Sequence, residues 1–337
     1  MNLNLYELKE TILTFDNVLI ITHVNPDPDT LGSALGLKWI FAKLGKTAHI
    51  ICENEVNERI CGFLGIEPKL DGITTEDIEQ GRFDHIICVD TASDIMLGRN
   101  LEIYKDKVDI VIDHHYSRTL FGRHTYLDEK ASATGEIIYE LAEALALELD
   151  QEFAKYIYCA IICDSGSFRF ASTTPRTMNI AANLMETGFD FAKMNRLIFE
   201  NKSLEQIAVE RLAYNSLKFH HEGKIAVINI TLDAKKEAGL EDVDIEGISG
   251  IPRIIAGVEV GVMIKEADIS KLEDKTRREF RISLRSNEYV DVSEIAAHFG
   301  GGGHKRAAGC KFKAEADISN PAEYIEHALV EQIEKAI

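Results

Sequence analysis

The chain reads as an α/β protein: an N-terminal doubly wound, mainly parallel sheet, then a smaller C-terminal α+β domain. Three observations predict this. Short β-branched runs alternate with helix-length patterns through the first half. Past residue 217 the character changes, and strands are separated by polar turns. Three strands of the first half also end in aspartate or histidine, on the edge where an open parallel sheet binds its ligands.

Taken in order, "MNLNLYELKETILTF" opens as an amphipathic helix rather than a signal peptide. "NVLIITH" is a buried strand, "TLGSALGLKWIFAKLG" a helix and "KTAHIIC" a second strand. "FDHIICVD" and "VDIVIDHH" are two more strands. Helix patterns follow at "ATGEIIYELAEALAL", "EFAKYIYCAIICD" and "TPRTMNIAANLMETG". This organisation predicts a first domain over 1–188, a helical, charged connector over 189–217, and a second domain over 218–337. In the second domain "GKIAVINIT", "VEVGVMIKEA", "EFRISLRS" and "AAGCKFKA" are strands, and "VSEIAAHF" and "PAEYIEHALVEQIEKAI" are helices. No internal repeat or low-complexity segment interrupts the pattern.

The 337 residues suffice for two domains with real cores. No apolar run nears the roughly 18 residues of a membrane span, so a cytoplasmic protein with no membrane partner is expected. The net charge of −19 argues against a grip on long duplex nucleic acid. It leaves room for small anions held by metal ions or by a local basic pocket. Six cysteines sit singly; Cys159 and Cys163, four apart, read as core packing, with a metal or redox role as the alternative.

The first strand leads to His23, Asp27 and Asp29, the third to Asp90, and the fourth to Asp113, His114 and His115. Asp164 follows "YIYCAII" and precedes a glycine turn. Singly, each has an ordinary reading: a turn former, a surface histidine, or a helix cap at Asp29 or Thr30. Together at one sheet edge the carboxylates would repel, and divalent cations relieve that cost. Oxygen ligands mixed with imidazoles suit manganese, iron, cobalt or zinc better than calcium. Six or seven ligands are about right for two ions, an arrangement suited to displacement at phosphorus.

"HVNPDPD", "VDTA", "IDHH" and "CDSGSF" occur in the order and context of the DHH phosphoesterase superfamily, which the chain resembles over nearly its whole length. "FGGGGHKRAAGCKF" looks like the signature of the C-terminal substrate-binding domain associated with that family. The nanoRNase type, acting on short oligoribonucleotides and 3'-phosphoadenosine 5'-phosphate, is the nearest in kind. The resemblance implies two divalent metal ions, manganese first, with magnesium or cobalt as alternatives. His23 and Asp27 would hold one, Asp29, His114 and Asp164 the other, and Asp90 would bridge them. His115 would contact the phosphate or the leaving oxygen, and Asp113 would orient the histidines. Pro28, Thr30, Cys163 and Ser165 depart from the family's usual residues without replacing a ligand.

In the second domain Gly301, Gly302 and Gly303 would let backbone amides approach an anion, with His304, Lys305 and Arg306 adding positive charge. Arg285 would join them, since its fork suits phosphate. "DKTRREF", with Arg277 and Arg278, reads as a solvated turn, and strand alternation sends Arg277, Arg278 and Arg281 to mixed faces. The metal site is expected in the cleft between domains, and a homodimer is an alternative to a monomer. Competing readings are a manganese-type inorganic pyrophosphatase, a linear or cyclic dinucleotide phosphodiesterase, a RecJ-like exonuclease and a non-hydrolysing nucleotide sensor.

Overall fold

The computed structural model describes residues 2–115, 121–241, 243, 245, 247–268, 278–314 and 320–337. The chain forms two compact units, Met1–Asn201 and Lys202–Ile337.

In the first unit, α1 (Leu5–Thr14) precedes β1 (Val18–Ile21), α2 (Pro28–Lys43) and β2 (Ala48–Ile51). The short helices α3 (Glu58–Leu64) and α4 (Thr75–Glu79) lead to β3 (His85–Val89), β4 (Ile110–Asp113) and β5 (His124–Leu127). Then come α5 (Thr134–Ala144), α6 (Gln151–Asp164), α7 (Pro175–Glu186) and α8 (Phe191–Asn195). The five strands are all parallel, in the order β2-β1-β3-β4-β5. This is the doubly wound sheet that the alternation predicts, with β5 added; β5 has only two buried positions and carries little strand signal. Strand order reverses between β1 and β3, and the switch point of such a sheet is where a crevice opens at the carboxyl ends.

Burial explains the strand composition. All four residues of β1 are buried, because helices cover both faces. On one face Ile20, Ile87 and Ile112 pack with α2, α5 and α6. On the other, Leu19, Cys88 and Val111 pack with Leu97, Leu101 and Tyr104. The helix α2 is buried over most of its length, and Gly32 is what lets it approach α6: a Cβ there would lie 2.4 Å from the Tyr156 carbonyl oxygen.

In the second unit, α9 (Leu204–Asn215) is followed by β6 (Lys218–His220), β7 (Ile225–Ile230), α10 (Leu232–Glu237), β8 (Val260–Glu266) and β9 (Arg278–Ser286). Next come α11 (Val292–His298), β10 (Gly302–His304), β11 (Ala307–Ala314) and α12 (Pro321–Glu334). The sheet order is β10-β11-β9-β8-β7-β6, with β7 and β8 parallel and the other pairs antiparallel. Helices α11 and α12 cover one face through Ile295, Ile325 and Leu329 against Val262, Ile282 and Leu284. On the other face α9 packs through Val209 and Ala213 against Ile228, Ile230 and Met263. The segment expected as a connector thus contains α8, in the first unit, and α9, in the second.

The glycine run is not an open loop. Gly302–His304 form β10, paired with Ala307–Gly309 in a hairpin that turns at Lys305 and Arg306. Close strand approach demands the glycines: a Cβ on Gly301 would meet the Gly309 carbonyl at 2.2 Å, and Gly303 sits at φ 145°.

Candidate metal centre

Asp27, not Asp29 or Thr30, caps α2: its Oδ1 accepts the Asp29 and Thr30 amides at 2.9 and 3.0 Å. That frees Asp29 to turn inward, where it is 2 % exposed. Its oxygens accept the backbone amides of Thr134 (2.8 Å) and Gly135 (3.0 Å) and the Ser33 hydroxyl (3.2 Å). These amides belong to the start of α5, whose N-cap is Ala133, a residue with no side-chain acceptor. Asp29 therefore caps α5 from a distance and ties α2 to it. Gly135 is needed there, since a Cβ would come within 2.6 Å of the Ala160 Cβ on α6.

Asp90 follows β3 at φ 56°, a left-handed backbone that aspartate tolerates better than most residues. Its amide donates to the Ile112 carbonyl at 2.9 Å, and its Oδ1 accepts the Thr134 hydroxyl at 2.9 Å. Its two oxygens face different histidines: Oδ2 lies 3.8 Å from His23 Nε2 and Oδ1 lies 3.7 Å from His114 Nε2. His23 Nε2 is also 3.6 Å from Asp27. His114 Nε2 is 3.7 Å from Asp29 and 3.5 Å from Asp164, while its Nδ1 faces the Ala131 carbonyl at 3.2 Å. His115 Nδ1 bonds Asp113 at 2.8 Å and stands 3.7 Å from Asp90.

The structure thus gathers His23, Asp27, Asp29, Asp90, Asp113, His114, His115 and Asp164 around the carboxyl ends of β1, β3 and β4. Among the described residues, His23, Asp27 and Asp90 form one group able to hold an ion, Asp29, His114 and Asp164 another, and Asp90, His114 and His115 a third. Separations of 3.5–3.8 Å are too long for hydrogen bonds. They match two ligands each about 2.1 Å from one ion, which stand roughly 3–3.7 Å apart.

The electrostatics also fit a cation. Burial, and then the charges of Asp29, Asp27 and Asp113, push the Asp90 carboxyl well above its usual range. Burial raises Asp29 against the pull of His114. Burial and Asp29 raise Asp164 to about 7. Burial would raise Asp27 too, but His23 and the two capped amides outweigh it and hold it low. The hydrogen bond to Asp113 raises His115. One oxygen of the fully buried Asp113, Oδ2, has no partner among the described residues.

A supporting network escapes linear reading. Arg176 on α7 binds Asp128, Glu136 and Glu140, and Ser132 donates to Glu136 at 2.6 Å. It braces the turn 128–135, which offers the Ala131 carbonyl to His114 and the Thr134 and Gly135 amides to Asp29. The one signal in the sequence is "SATGE", a helix start without a capping side chain. Beyond Asp164 the backbone is strained, with Ser167 and Phe168 at φ 61°. Phe168 is partly buried against the core, edge-on to Tyr158.

In the second unit, strand pairing aligns Gly261, Arg285, Ala307 and His304 across β8, β9, β11 and β10. Side chains in such a row share one face, so Arg285 and His304 flank the small Ala307. Burial and the neighbouring Arg253 cation depress the Arg285 pKa. Lys305 lies at the hairpin tip. Arg306 is engaged by the Val290 and Glu288 carbonyls, which fix its guanidinium. Arg278 binds the buried Glu266 at 2.6 Å, and Arg277 lies outside the described residues.

Residues 17–161 match the DHH family, N-terminal domain, and residues 222–331 match the DHHA1 domain. The chain is similar to a Thermus thermophilus protein named bifunctional oligoribonuclease and PAP phosphatase NrnA. The two are 29 % identical over 320 residues, 95 % of this chain and 91 % of that one. A Bacillus subtilis protein of the same name is 27 % identical over 307 residues, 90 % and 91 % of the two chains. An exopolyphosphatase-related protein from Bacteroides fragilis shares the fold, with TM-score 0.81 at 23 % identity over 97 % of this chain and 95 % of that one. Exonuclease RecJ bound to manganese also shares it, with TM-score 0.51 at 15 % identity over 100 % and 96 %.

Proposed function

We propose that this chain, a DHH-family protein whose second unit is a DHHA1 domain, is a two-metal phosphoesterase. Its substrates in this reading are short oligoribonucleotides, cleaved to mononucleotides, and 3'-phosphoadenosine 5'-phosphate, cleaved to AMP. The observation that carries the reading is Asp90, whose two oxygens face His23 and His114, members of separate ligand groups. The names of the Thermus and Bacillus relatives supply the substrate class.

His23, Asp27 and Asp90 would hold one divalent ion, and Asp29, His114, Asp164 and Asp90 the other, with manganese as the expected metal. Bound ions would supply Lewis acidity toward phosphate oxygens and lower the pKa of a water. Asp113 holds His115 Nδ1, so Nε2 is the ring nitrogen left to give a proton to the departing ribose oxygen. Arg285, Gly301 to Gly303, His304, Lys305 and Arg306 would bind the nucleotide. Short single strands suit the charge of −19 better than long duplexes. No described helix is long and apolar enough to cross a membrane. All six cysteines are free, which suits the reducing cytoplasm where we place the enzyme.

The test is manganese-dependent hydrolysis of a five-nucleotide RNA, 3'-phosphoadenosine 5'-phosphate and pyrophosphate side by side. Release of mononucleotides and AMP with pyrophosphate intact is expected. Turnover of pyrophosphate alone refutes the substrate assignment.

A further inference from the structure

The face of the second sheet that carries Arg285 also carries a second cationic row. On β9, Phe280, Ile282 and Leu284 enter the core under α11 and α12, so Arg281, Ser283 and Arg285 point to the opposite face. On β11, Ala308 and Cys310 enter that core, so Ala307, Gly309 and Lys311 point the other way. The pairing sets Arg281 directly opposite Lys311 on one side and Lys265 of β8 on the other. Helix α9 covers this face over β7 and β8 through Ile228, Ile230 and Met263. Over β9 and β11, Arg281 and Lys311 are exposed.

Like charges directly across a strand pair destabilise a sheet. Among the described residues, the acid in contact with Arg281 is Glu279, at 3.9 Å, too far to fix the guanidinium by a hydrogen bond. Between Arg281 and Lys311 and the Arg285 row lie Ser283 on β9 and Gly309 on β11, both small, while Met263 of β8 lies under α9 to one side. Arg281 and Arg285 lie four residues apart along β9, about 13 Å, a span that an extended single strand covers in roughly two phosphate steps.

We propose that Arg281 and Lys311 form an accessory phosphate site, which holds the backbone of an oligoribonucleotide beyond the nucleotide bound at Arg285. This rests on the nucleotide-binding reading of Arg285 and extends it. The site gives strands of several nucleotides an extra foothold that a dinucleotide or a nucleoside bisphosphate cannot reach.

The test is fluorescence anisotropy of labelled five-nucleotide and two-nucleotide RNAs on the full chain in EDTA, across a salt series. Arg281→Gln/Lys311→Gln should weaken the longer RNA on the order of tenfold and flatten its salt slope by about 1.4, because two phosphates no longer meet a cation. Binding of the shorter RNA should stay within about twofold of wild type. Lys311→Glu, which places an acid opposite Arg281, should keep or raise Tm and still weaken the longer RNA, separating lost binding from lost folding. Unchanged binding of the longer RNA, or equal loss for both lengths, overturns the proposal. A failure of the hydrolase reading would appear separately, as absent manganese-dependent turnover.

Discussion

Asp90→Asn isolates the charge at the centre of the site. The substitution keeps the acceptor for the Thr134 hydroxyl, and asparagine accepts the left-handed backbone at φ 56°. What it removes is a carboxylate that is 2 % exposed and crowded by Asp29, Asp27 and Asp113. Without metal, the raised folded pKa means that the native state binds more protons than the unfolded one above about pH 4. The wild type therefore loses stability as pH rises from there toward the folded pKa. The loss has a ceiling of about 1.4 kcal/mol per pH unit, hence at most about 4 kcal/mol at pH 7 and about 1.5 at pH 5. His23 and His114 offset part of it, and about 2 kcal/mol at pH 7 is a reasonable net. For a unit of this size that is a rise of about 4–8 °C in the Tm of the metal-free variant, shrinking toward pH 5. With manganese the order reverses. The wild type gains about 2.7 kcal/mol at a hundredfold excess over Kd, and the variant, lacking the shared carboxylate, gains little. Scanning calorimetry of both proteins in EDTA and in saturating manganese reads all four values. A variant that is less stable than wild type in EDTA, or that gains as much from manganese, refutes the reasoning.

Three other outcomes follow from the same geometry. Arg176→Gln leaves the fully buried Glu136 without its cation, which should cost about 3–5 kcal/mol in urea unfolding and weaken manganese roughly 10–100-fold by calorimetry; full manganese affinity would remove Arg176 from the support of the site. Gly135→Ala should push α5 from α6 and cost about 1–3 kcal/mol, measured by denaturant midpoint, since the added Cβ lies 2.6 Å from that of Ala160. Asp113→Asn should move the alkaline limb of the kcat profile to lower pH, because the bond from Asp113 is the main cause that raises His115; an unmoved limb would mean that His115 is not the acid.

The candidate ligands were legible because each stands where an apolar run stops, and chain order then converts to one sheet edge through a single rule about parallel strands. His23, Asp90 and His114 needed no more than that. The support was less legible. Asp29 caps a helix 105 residues away, and Arg176 reaches a turn some 48 residues before it, so neither leaves a local pattern. The strand β5 adds length to the sheet with too few buried positions to announce itself. The glycines show only part of their role in sequence. Four in a row say that backbone can approach an anion, but not that Gly301 and Gly303 are also small because two strands press together there. That pairing completes a register running from β10 to β8, and register is a property of pairs of strands. Alternation along β9 shows that Arg281 and Arg285 share a face. Only the pairing with β11 shows that Lys311 stands against Arg281 and His304 near Arg285. A binding surface made of residues far apart in sequence and adjacent across strands is therefore invisible until the registers are known, whereas a metal site built from strand ends is not.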